Sequence, residues 1–129
     1  MRSARVQTAQ GKFGQRIQVG GHVLTADEPT ANGGNDVGPE PHEFLLVGLG
    51  ACTSMTVKLY ADGKGWPLRS VDVTVEGHHD DTRTFLINRT ISFEGDLSEE
   101  QRHRLLEIAN KCPVHRTLTG TIRIETELA

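Results

Sequence analysis

The sequence predicts an α+β fold with a largely antiparallel β-sheet. The prediction rests on the order in which strand-like and helix-like hydrophobic patterns follow each other along the chain. Segments with period-two alternation surround two segments with helical patterning. The predicted order of elements is two strands and an optional third strand, a helix, two strands, a second helix and a closing strand. The length of 129 residues fits one domain, residues 1–129. Apolar residues make up only 36% of the chain, so we expect a partner chain to complete part of the core.

The first elements are predicted to be a β-hairpin and a long loop. Residues 13–19 and 22–26 alternate loosely between apolar and polar side chains, and Gly20 and Gly21 separate them. Residues 27–39 contain two prolines and three glycines, which is typical of a loop. A connection of this length is long for an ordinary loop, which favours a functional one.

The central element is predicted to be a helix buried within the protein. Pro41 suits a first helical turn, and residues 44–60 are apolar on nearly every side. This helix carries Cys52. Gly48 and Gly50 each cost about 1 kcal/mol relative to alanine inside a helix. Their presence just before Cys52 predicts that another backbone packs close to this segment.

The second half of the chain is predicted to contain three strands and a second helix. Alternating apolar residues mark strands within residues 71–75, 85–93 and 122–128. Ser98 and Gln101 form a capping box that begins the second helix. That helix is predicted to end at Cys112, because Pro113 follows directly.

Composition and charge exclude several classes of protein. A formal net charge of −3 lacks the basic footprint of a nucleic-acid-binding protein. No stretch offers about 20 uncharged apolar residues, so no membrane span is expected. The first residues show no apolar region of a secretory signal. We therefore expect a cytoplasmic location.

The two cysteines, Cys52 and Cys112, are the candidate reactive groups. In a reducing compartment they are either inert buried thiols or a working redox pair. A Cys52 thiolate needs a cationic neighbour, since apolar burial alone disfavours ionisation. Cys112 is expected at a helix C-terminus, where partial negative charge opposes a thiolate. The pair therefore matches one activated thiol and one second thiol that condenses with its sulfenic acid.

A metal site is a competing interpretation. Cys112 and His115 have C-x2-H spacing, and His42, His78 and His79 offer further ligands. The chain contains no C-x-x-C motif, which weighs against a closed zinc site.

Two segments resemble the signatures of the OsmC/Ohr family, the osmotically inducible and organic-hydroperoxide-resistance proteins. Residues 38–55 (GPEPHEFLLVGLGACTSM) resemble the first signature, and residues 112–118 (CPVHRTL) resemble the second. Their spacing and order match over essentially the whole chain. The resemblance implies an intertwined homodimer that reduces hydroperoxides with two cysteines and with no metal or prosthetic group.

Carried onto this sequence, the resemblance makes Cys52 the peroxidatic cysteine, Cys112 the resolving cysteine and Glu43 the active-site carboxylate. In the organic-hydroperoxide-resistance branch the acid lies ten positions before the cysteine, where this chain has His42. Nine residues of straight helix span about 13.5 Å and leave Glu43 half a turn out of phase with Cys52. Either the helix bends, or Glu43 serves the cysteine of a partner subunit, and we prefer the partner subunit.

The family's activating arginine comes from the N-terminal strands, which makes Arg16 the candidate here. Lys12 and Arg116 are further candidates for the cation, although an arginine fork suits both carboxylate binding and thiol activation. The implied reaction reduces an organic or inorganic hydroperoxide, and a lipoylated protein, a thioredoxin-like protein or a small thiol restores the dithiol. The alternative is an OsmC-fold dimer with a small-molecule-binding or structural role and little peroxidase activity.

Overall fold

The computed structural model describes residues 1–129, which divide into two compact units, Met1–Leu45 and Leu46–Ala129. The division falls inside the first turns of the long helix α1 (Pro41–Lys64). The single domain over the whole chain stays a prediction.

The first unit is built on a three-stranded antiparallel meander. Its strands are β1 (Ala4–Thr8), β2 (Gln15–Val19) and β3 (His22–Ala26), paired in that order. Gly20 adopts a φ of +58° in the tight connection between β2 and β3, which a residue without a Cβ adopts readily. The predicted hairpin is therefore confirmed, and β1 extends it by one strand.

The loop after β3 is organised by a buried carboxylate. Asp27 is only 3% exposed, and its oxygens accept backbone N–H groups from Glu28 at 2.7 Å, Asn35 at 3.1 Å and Val37 at 3.3 Å. A short 3₁₀ turn (Thr30–Asn32) lies within the same loop. Three bonds from separate points of the loop hold its two ends together, so this connection is ordered although it has no regular structure.

The second unit contains most of α1 and a long two-stranded antiparallel ribbon. Strands β4 (Leu68–His79) and β5 (Phe85–Gly95) pair along almost their whole length, from Leu68 opposite Gly95 to His79 opposite Phe85. The odd-numbered residues of β5 are the half-buried ones, as the period-two pattern of the sequence predicts.

The two remaining helices differ from the prediction at their boundary. Helix α2 (Glu99–Ala109) begins with the predicted capping box of Ser98 and Gln101. It ends at Ala109 rather than at Cys112, and a third helix, α3 (Pro113–Thr119), follows. Cys112 is the N-cap of α3, because Pro113 starts this helix as its first residue rather than ending the one before.

The predicted closing strand is not formed in this chain. Residues 121–129 follow α3 without any regular secondary structure, and Ile122, Ile124 and Leu128 are exposed. The alternation of these residues is real, but a strand also needs a neighbour with which to pair, and the chain provides none there.

The core of the second unit lies where one stripe of α1 meets α2 and the ribbon. The buried residues of α1 recur every four positions, which places them on one face of the helix: Leu49, Thr53, Val57 and Ala61. Val57 and Ala61 pack with Leu68, Leu105 and Ala109 in the main apolar cluster. The expectation of a helix buried all round is therefore wrong for the single chain, which covers this one stripe.

The opposite side of α1 exposes large apolar side chains, including Val47 (59% exposed), Met55 (71%) and Leu59 (76%). A Cβ on Gly48 would meet nothing within 4 Å, so the close neighbour expected there does not come from this chain. By length and composition alone α1 could cross a membrane, contrary to the sequence-based expectation. Core helices of soluble proteins share that property, so it is weak evidence for a membrane span.

Candidate functional site

Cys52 lies in the middle of α1, beside its buried stripe, and is half-buried. Its sulfur lies 3.9 Å from Thr56 Oγ1, one turn further along the helix. The backbone N–H of Val114, in the first turn of α3, donates to Cys52 Sγ at 3.5 Å. The sulfur therefore has hydrogen-bond partners from both helices.

Cys112 is fully buried, with no exposed surface, and it is also a free thiol. The backbone N–H of His115 donates to Cys112 Sγ at 3.3 Å, and Thr53 Oγ1 lies 3.8 Å from the same sulfur. The two cysteine sulfurs thus receive successive N–H groups, those of Val114 and His115, from the same helical turn. The structure brings Cys52 and Cys112 together at the start of α3.

The environment of Cys112 favours its thiolate. Burial raises the pKa of the Cys112 thiol. Hydrogen bonds lower this pKa, and they come from the His115 N–H, from Thr53 and from Cys52. Together with the charge of Arg89 they lower it by more than burial raises it. The net pKa lies below the ordinary value of a cysteine. The expectation that Cys112 is disfavoured as a thiolate is therefore wrong, because it placed the residue at a helix C-terminus instead of at an N-cap.

Arg89 on β5 is the cation of this site. Its Nη1 donates to Thr53 Oγ1 at 2.8 Å, and its Nη2 donates to Asn110 Oδ1 at 2.7 Å. The same Nη2 lies 3.2 Å from Nδ1 of His115. Because a guanidinium can only donate, this contact requires His115 Nδ1 to accept. Arg89 therefore ties together α1, the end of α2 and α3.

Sequence reasoning missed Arg89, although a signal was available. The apolar face of β5 was identified from four residues at odd positions, namely Phe85, Ile87, Ile91 and Phe93. Arg89 occupies the central position of this same face. A charged residue in the middle of an inward-facing row needs a polar partner inside the protein, which marks it as a candidate site residue.

A cavity of about 420 Å³ adjoins this cluster. Arg89, Asn110 and His115 are its polar lining residues together with Thr119. The remaining lining residues are apolar: Leu49, Phe85, Ile87, Ile91, Leu106 and Leu118. The cavity therefore combines apolar walls with one positive charge, and neither cysteine contributes to its lining.

Arg16 and Glu43 both belong to the first unit, whereas the cysteines belong to the second. Arg16 Nη1 donates to Gln18 Oε1 at 3.2 Å on the exposed strand β2. Glu43 exchanges hydrogen bonds with Glu40 at the start of α1: Glu40 N donates to Glu43 Oε1 at 2.8 Å, and Glu43 N donates to Glu40 Oε1 at 2.6 Å. Within one chain Arg16 and Glu43 form no ion pair, and their catalytic roles stay predictions.

The remaining candidate residues are Lys12, Arg116 and the histidines of the proposed metal site. The Lys12 ammonium lies 5.0 Å from the centre of the Phe13 ring, and Arg116 is exposed on α3. His42 Nδ1 lies 3.9 Å from Glu40 Oε2. No group of three or more His, Cys, Asp or Glu side chains lies in an arrangement that could hold a metal ion.

The comparison with protein families decides the relationship that the two cysteine motifs indicate. A family model described as OsmC-like protein matches residues 33–127. The chain belongs to the OsmC-like protein family. The resemblance inferred from the two signatures is thereby confirmed, and both cysteines of this OsmC-like chain lie within the matched region.

Solved structures share the fold of the OsmC-like chain. An OsmC like protein from Mycoplasma pneumoniae is 21% identical, with a TM-score of 0.80 and coverage of 93% of this chain and 88% of that one. An organic hydroperoxide resistance protein from Legionella pneumophila is 18% identical, with a TM-score of 0.69 and coverage of 93% and 90%. The organic hydroperoxide resistance protein OhrB of Bacillus subtilis is 23% identical, with a TM-score of 0.62 and coverage of 92% and 91%. No curated protein matches the sequence. At these identities the structural likeness shows the fold alone.

Proposed function

We propose that this OsmC-like chain is a thiol-dependent peroxidase that reduces hydroperoxides. The observation that carries the proposal is the meeting of two free thiols at one helical turn, where Val114 N–H donates to the Cys52 sulfur and His115 N–H donates to the Cys112 sulfur. Structural relatives named for organic hydroperoxide resistance support the same class of substrate.

The proposed reaction has two chemical steps within the chain. The Cys52 thiolate attacks the terminal oxygen of the hydroperoxide, the O–O bond breaks, and the alcohol leaves after taking up a proton. Cys52 is then a sulfenic acid. The Cys112 thiolate attacks its sulfur, a disulfide forms, and the oxygen leaves as hydroxide that is protonated to water. An external dithiol reduces the disulfide and returns both thiols.

Accessibility supports Cys52 as the thiol that meets the peroxide. Cys52 is half-buried, whereas Cys112 has no exposed surface. A buried thiol that is hydrogen-bonded as a thiolate suits the second step, because its target is a neighbouring sulfur rather than a molecule from solution. The difference in exposure therefore supports Cys52 as the peroxidatic cysteine and Cys112 as the resolving cysteine.

A homodimer is part of the proposal. Its support is the exposed apolar side of α1 and the alternating residues 121–129, which lack a strand partner within the chain. In such a dimer Glu43 and Arg16 of one subunit are proposed to act at Cys52 of the other. Sedimentation that shows a stable monomer at micromolar concentration would contradict this part of the proposal.

The proposed surroundings of the reaction follow from its chemistry. Two free thiols are maintained in a reducing compartment, which supports a cytoplasmic location. The reductant is proposed to be a lipoylated protein, a thioredoxin-like protein or a small thiol. No metal, prosthetic group, nucleic acid or membrane takes part in the proposed reaction.

A second candidate function is a small-molecule-binding dimer with little peroxidase activity. The observation that favours it is the cavity of about 420 Å³ beside Arg89, whose lining includes neither cysteine. A protein of this kind would bind a ligand there and react with peroxide no faster than a free thiol does.

The decisive experiment is thiol counting after addition of one equivalent of peroxide per chain. The reduced protein should lose two thiols rapidly, and Cys52→Ser should lose none. Cys112→Ser should consume one equivalent and leave a sulfenic acid at Cys52 that a dimedone-type probe captures. Stopped-flow oxidation with tert-butyl hydroperoxide and with hydrogen peroxide then ranks the substrates. A Cys112→Ser variant that fails in the first oxidation would reverse the two roles, and slow thiol loss in the unmodified protein would favour the binding function.

A further inference from the structure

The hydroxyl of Thr53 lies between three polar groups in the interior of the second unit. Thr53 is fully buried on the core-facing stripe of α1. Its Oγ1 donates to the carbonyl oxygen of Leu49 at 2.7 Å and accepts from Arg89 Nη1 at 2.8 Å. The third neighbour is Cys112 Sγ at 3.8 Å. The hydroxyl therefore connects the cation of the site to the buried thiol.

The hydrogen-bonding capacity of a hydroxyl limits how these three contacts combine. A hydroxyl has one proton to donate and two lone pairs to accept with. Arg89 can only donate, so it always occupies one lone pair. When Cys112 is a thiol, its S–H can donate to the second lone pair while the hydroxyl proton stays on Leu49. The single proton and both lone pairs of the Thr53 hydroxyl are then used in hydrogen bonds.

Ionisation of Cys112 removes the S–H and changes which acceptor is stronger. A thiolate accepts a charge-assisted hydrogen bond, which is stronger than a bond to a neutral carbonyl. The Leu49 carbonyl also keeps its helical bond from the backbone N–H of Thr53, so it is not left unsatisfied. Rotation about a single side-chain bond moves the hydroxyl proton from the carbonyl to the sulfur.

We propose that Thr53 is a positioning residue for Cys112, whose hydroxyl proton points to the Leu49 carbonyl when Cys112 is a thiol and to the sulfur when it is a thiolate. Arg89 holds the hydroxyl oxygen in place in both states. The use of this thiolate to resolve a Cys52 sulfenic acid rests on the proposed function. When the disulfide forms and the negative charge leaves the sulfur, the proton returns to Leu49.

Four groups at the site bear on the titration of Cys112, and they come from three elements. Cys52 faces it from α1, Arg89 from β5, and His115 from α3 through its backbone N–H and its ring. Thr53 differs from these groups because it is uncharged and can reverse the direction of its hydrogen bond. Its contribution is therefore visible as a change at Leu49 that depends on the Thr53 hydroxyl and is lost in Thr53→Val.

The direct test is an NMR titration of the Leu49 carbonyl carbon in the full-length Cys52→Ser chain. Its resonance should move with the same midpoint as the ionisation of Cys112, which is followed by thiolate absorbance in the same variant. When Cys112→Ser is added to this chain, the movement should disappear. A Leu49 resonance that stays constant through the ionisation of Cys112 would overturn the proposal.

Matched variants of Thr53 provide a second test. Thr53→Val keeps the shape of the side chain without its hydroxyl, and Thr53→Ser keeps the hydroxyl. Loss of a hydrogen bond to a charged group should raise the Cys112 midpoint by about one pH unit in Thr53→Val, a roughly tenfold smaller thiolate fraction below the midpoint. Thr53→Ser should keep the midpoint within a few tenths. Equal midpoints in the two folded variants would overturn the proposal, and if Thr53→Val does not fold, the Leu49 titration of the chain that keeps Thr53 still decides it.

These measurements use no peroxide, so they test the reorientation of the Thr53 hydroxyl separately from the proposed reaction. A chain that fails to consume peroxide but shows the coupled titration of Leu49 and Cys112 would contradict the peroxidase function and leave the role of Thr53 intact. A chain that consumes peroxide without the coupled titration would do the opposite.

Discussion

Replacing Arg89 by glutamine should make the Cys112 thiol markedly less acidic. Arg89 Nη1 lies 2.8 Å from Thr53 Oγ1, which in turn lies 3.8 Å from the Cys112 sulfur. The charge and the sulfur are therefore separated by about 6.6 Å or less, and with an effective dielectric constant of about 20 their attraction is roughly 2.5 kcal/mol. That energy corresponds to nearly two pKa units and is an upper limit. Since the His115 N–H, Thr53 and Cys52 each lower the Cys112 pKa more than the charge of Arg89 does, we expect a rise of about one unit or less.

Thiolate absorbance against pH in a Cys52→Ser background measures this effect directly. Arg69→Gln is the matched control, because it removes the same charge from an exposed side chain on the neighbouring strand, where Arg69 lies 3.5 Å from Glu94. Arg89→Gln should also slow disulfide formation at pH 7 after a single oxidation of the chain that retains Cys52. A titration curve of Arg89→Gln that coincides with that of Arg69→Gln would refute the assignment of Arg89 as the cation of the site.

Three further variants test the loop, the core and the predicted role of Arg16. Burial raises the pKa of Asp27, but hydrogen bonds from the backbone N–H groups of Glu28, Val37 and Asn35 lower it below its ordinary value. Its stabilisation is therefore present above the unfolded pKa and lost as pH falls through the folded one. Asp27→Asn should lower unfolding free energy at pH 7 and remove this part of the acid dependence, and identical pH profiles in urea unfolding would contradict this. Leu105→Ala empties a fully buried position in the core and should cost about 2–5 kcal/mol in urea unfolding, whereas a loss below 1 kcal/mol would show that the core collapses around it. Arg16→Met should raise the pH at which Cys52 is alkylated, and an unchanged alkylation profile would assign the activation of Cys52 to another cation.

Much of the fold was predictable because local patterns decide it. The period-two alternation in β4 and β5 and the capping box of Ser98 each report on structure within a few residues. Residues 121–129 alternate equally well but form no strand, because pairing depends on a neighbour that the pattern does not describe. The helical segment 44–60 was identified correctly, yet its composition alone did not reveal that the single chain covers only one stripe of it.

The two cysteines of the candidate site were predictable from the sequence, whereas Arg89 was not. Cys52 and Cys112 are the only cysteines and each lies in a recognisable motif, so sequence alone brings them into one hypothesis. The cations that the sequence offers for the activation of Cys52, namely Arg16, Lys12 and Arg116, stay predictions. Arg89 lies 37 positions after Cys52 on the apolar face of a strand, where its charge marks it as a candidate, but only the structure shows its partners Thr53 and His115.

The exact end of helix α2 determines whether the surroundings of Cys112 favour or oppose its thiolate. Proline ends a helix when it follows the last residue and begins one when it occupies the first turn, so Pro113 is compatible with both readings of the sequence. Cysteine is not among the usual N-cap residues, and nothing in the local sequence marked residue 112 as one. Ending α2 at Ala109 instead of at Cys112 moves the thiol from the carbonyl end of one helix to the N–H end of the next. Its sulfur then accepts the His115 N–H at 3.3 Å instead of facing unpaired carbonyl groups, and the sign of its stabilisation as a thiolate changes. The acidity of the buried thiol is thus decided by which of two adjoining helices Cys112 belongs to.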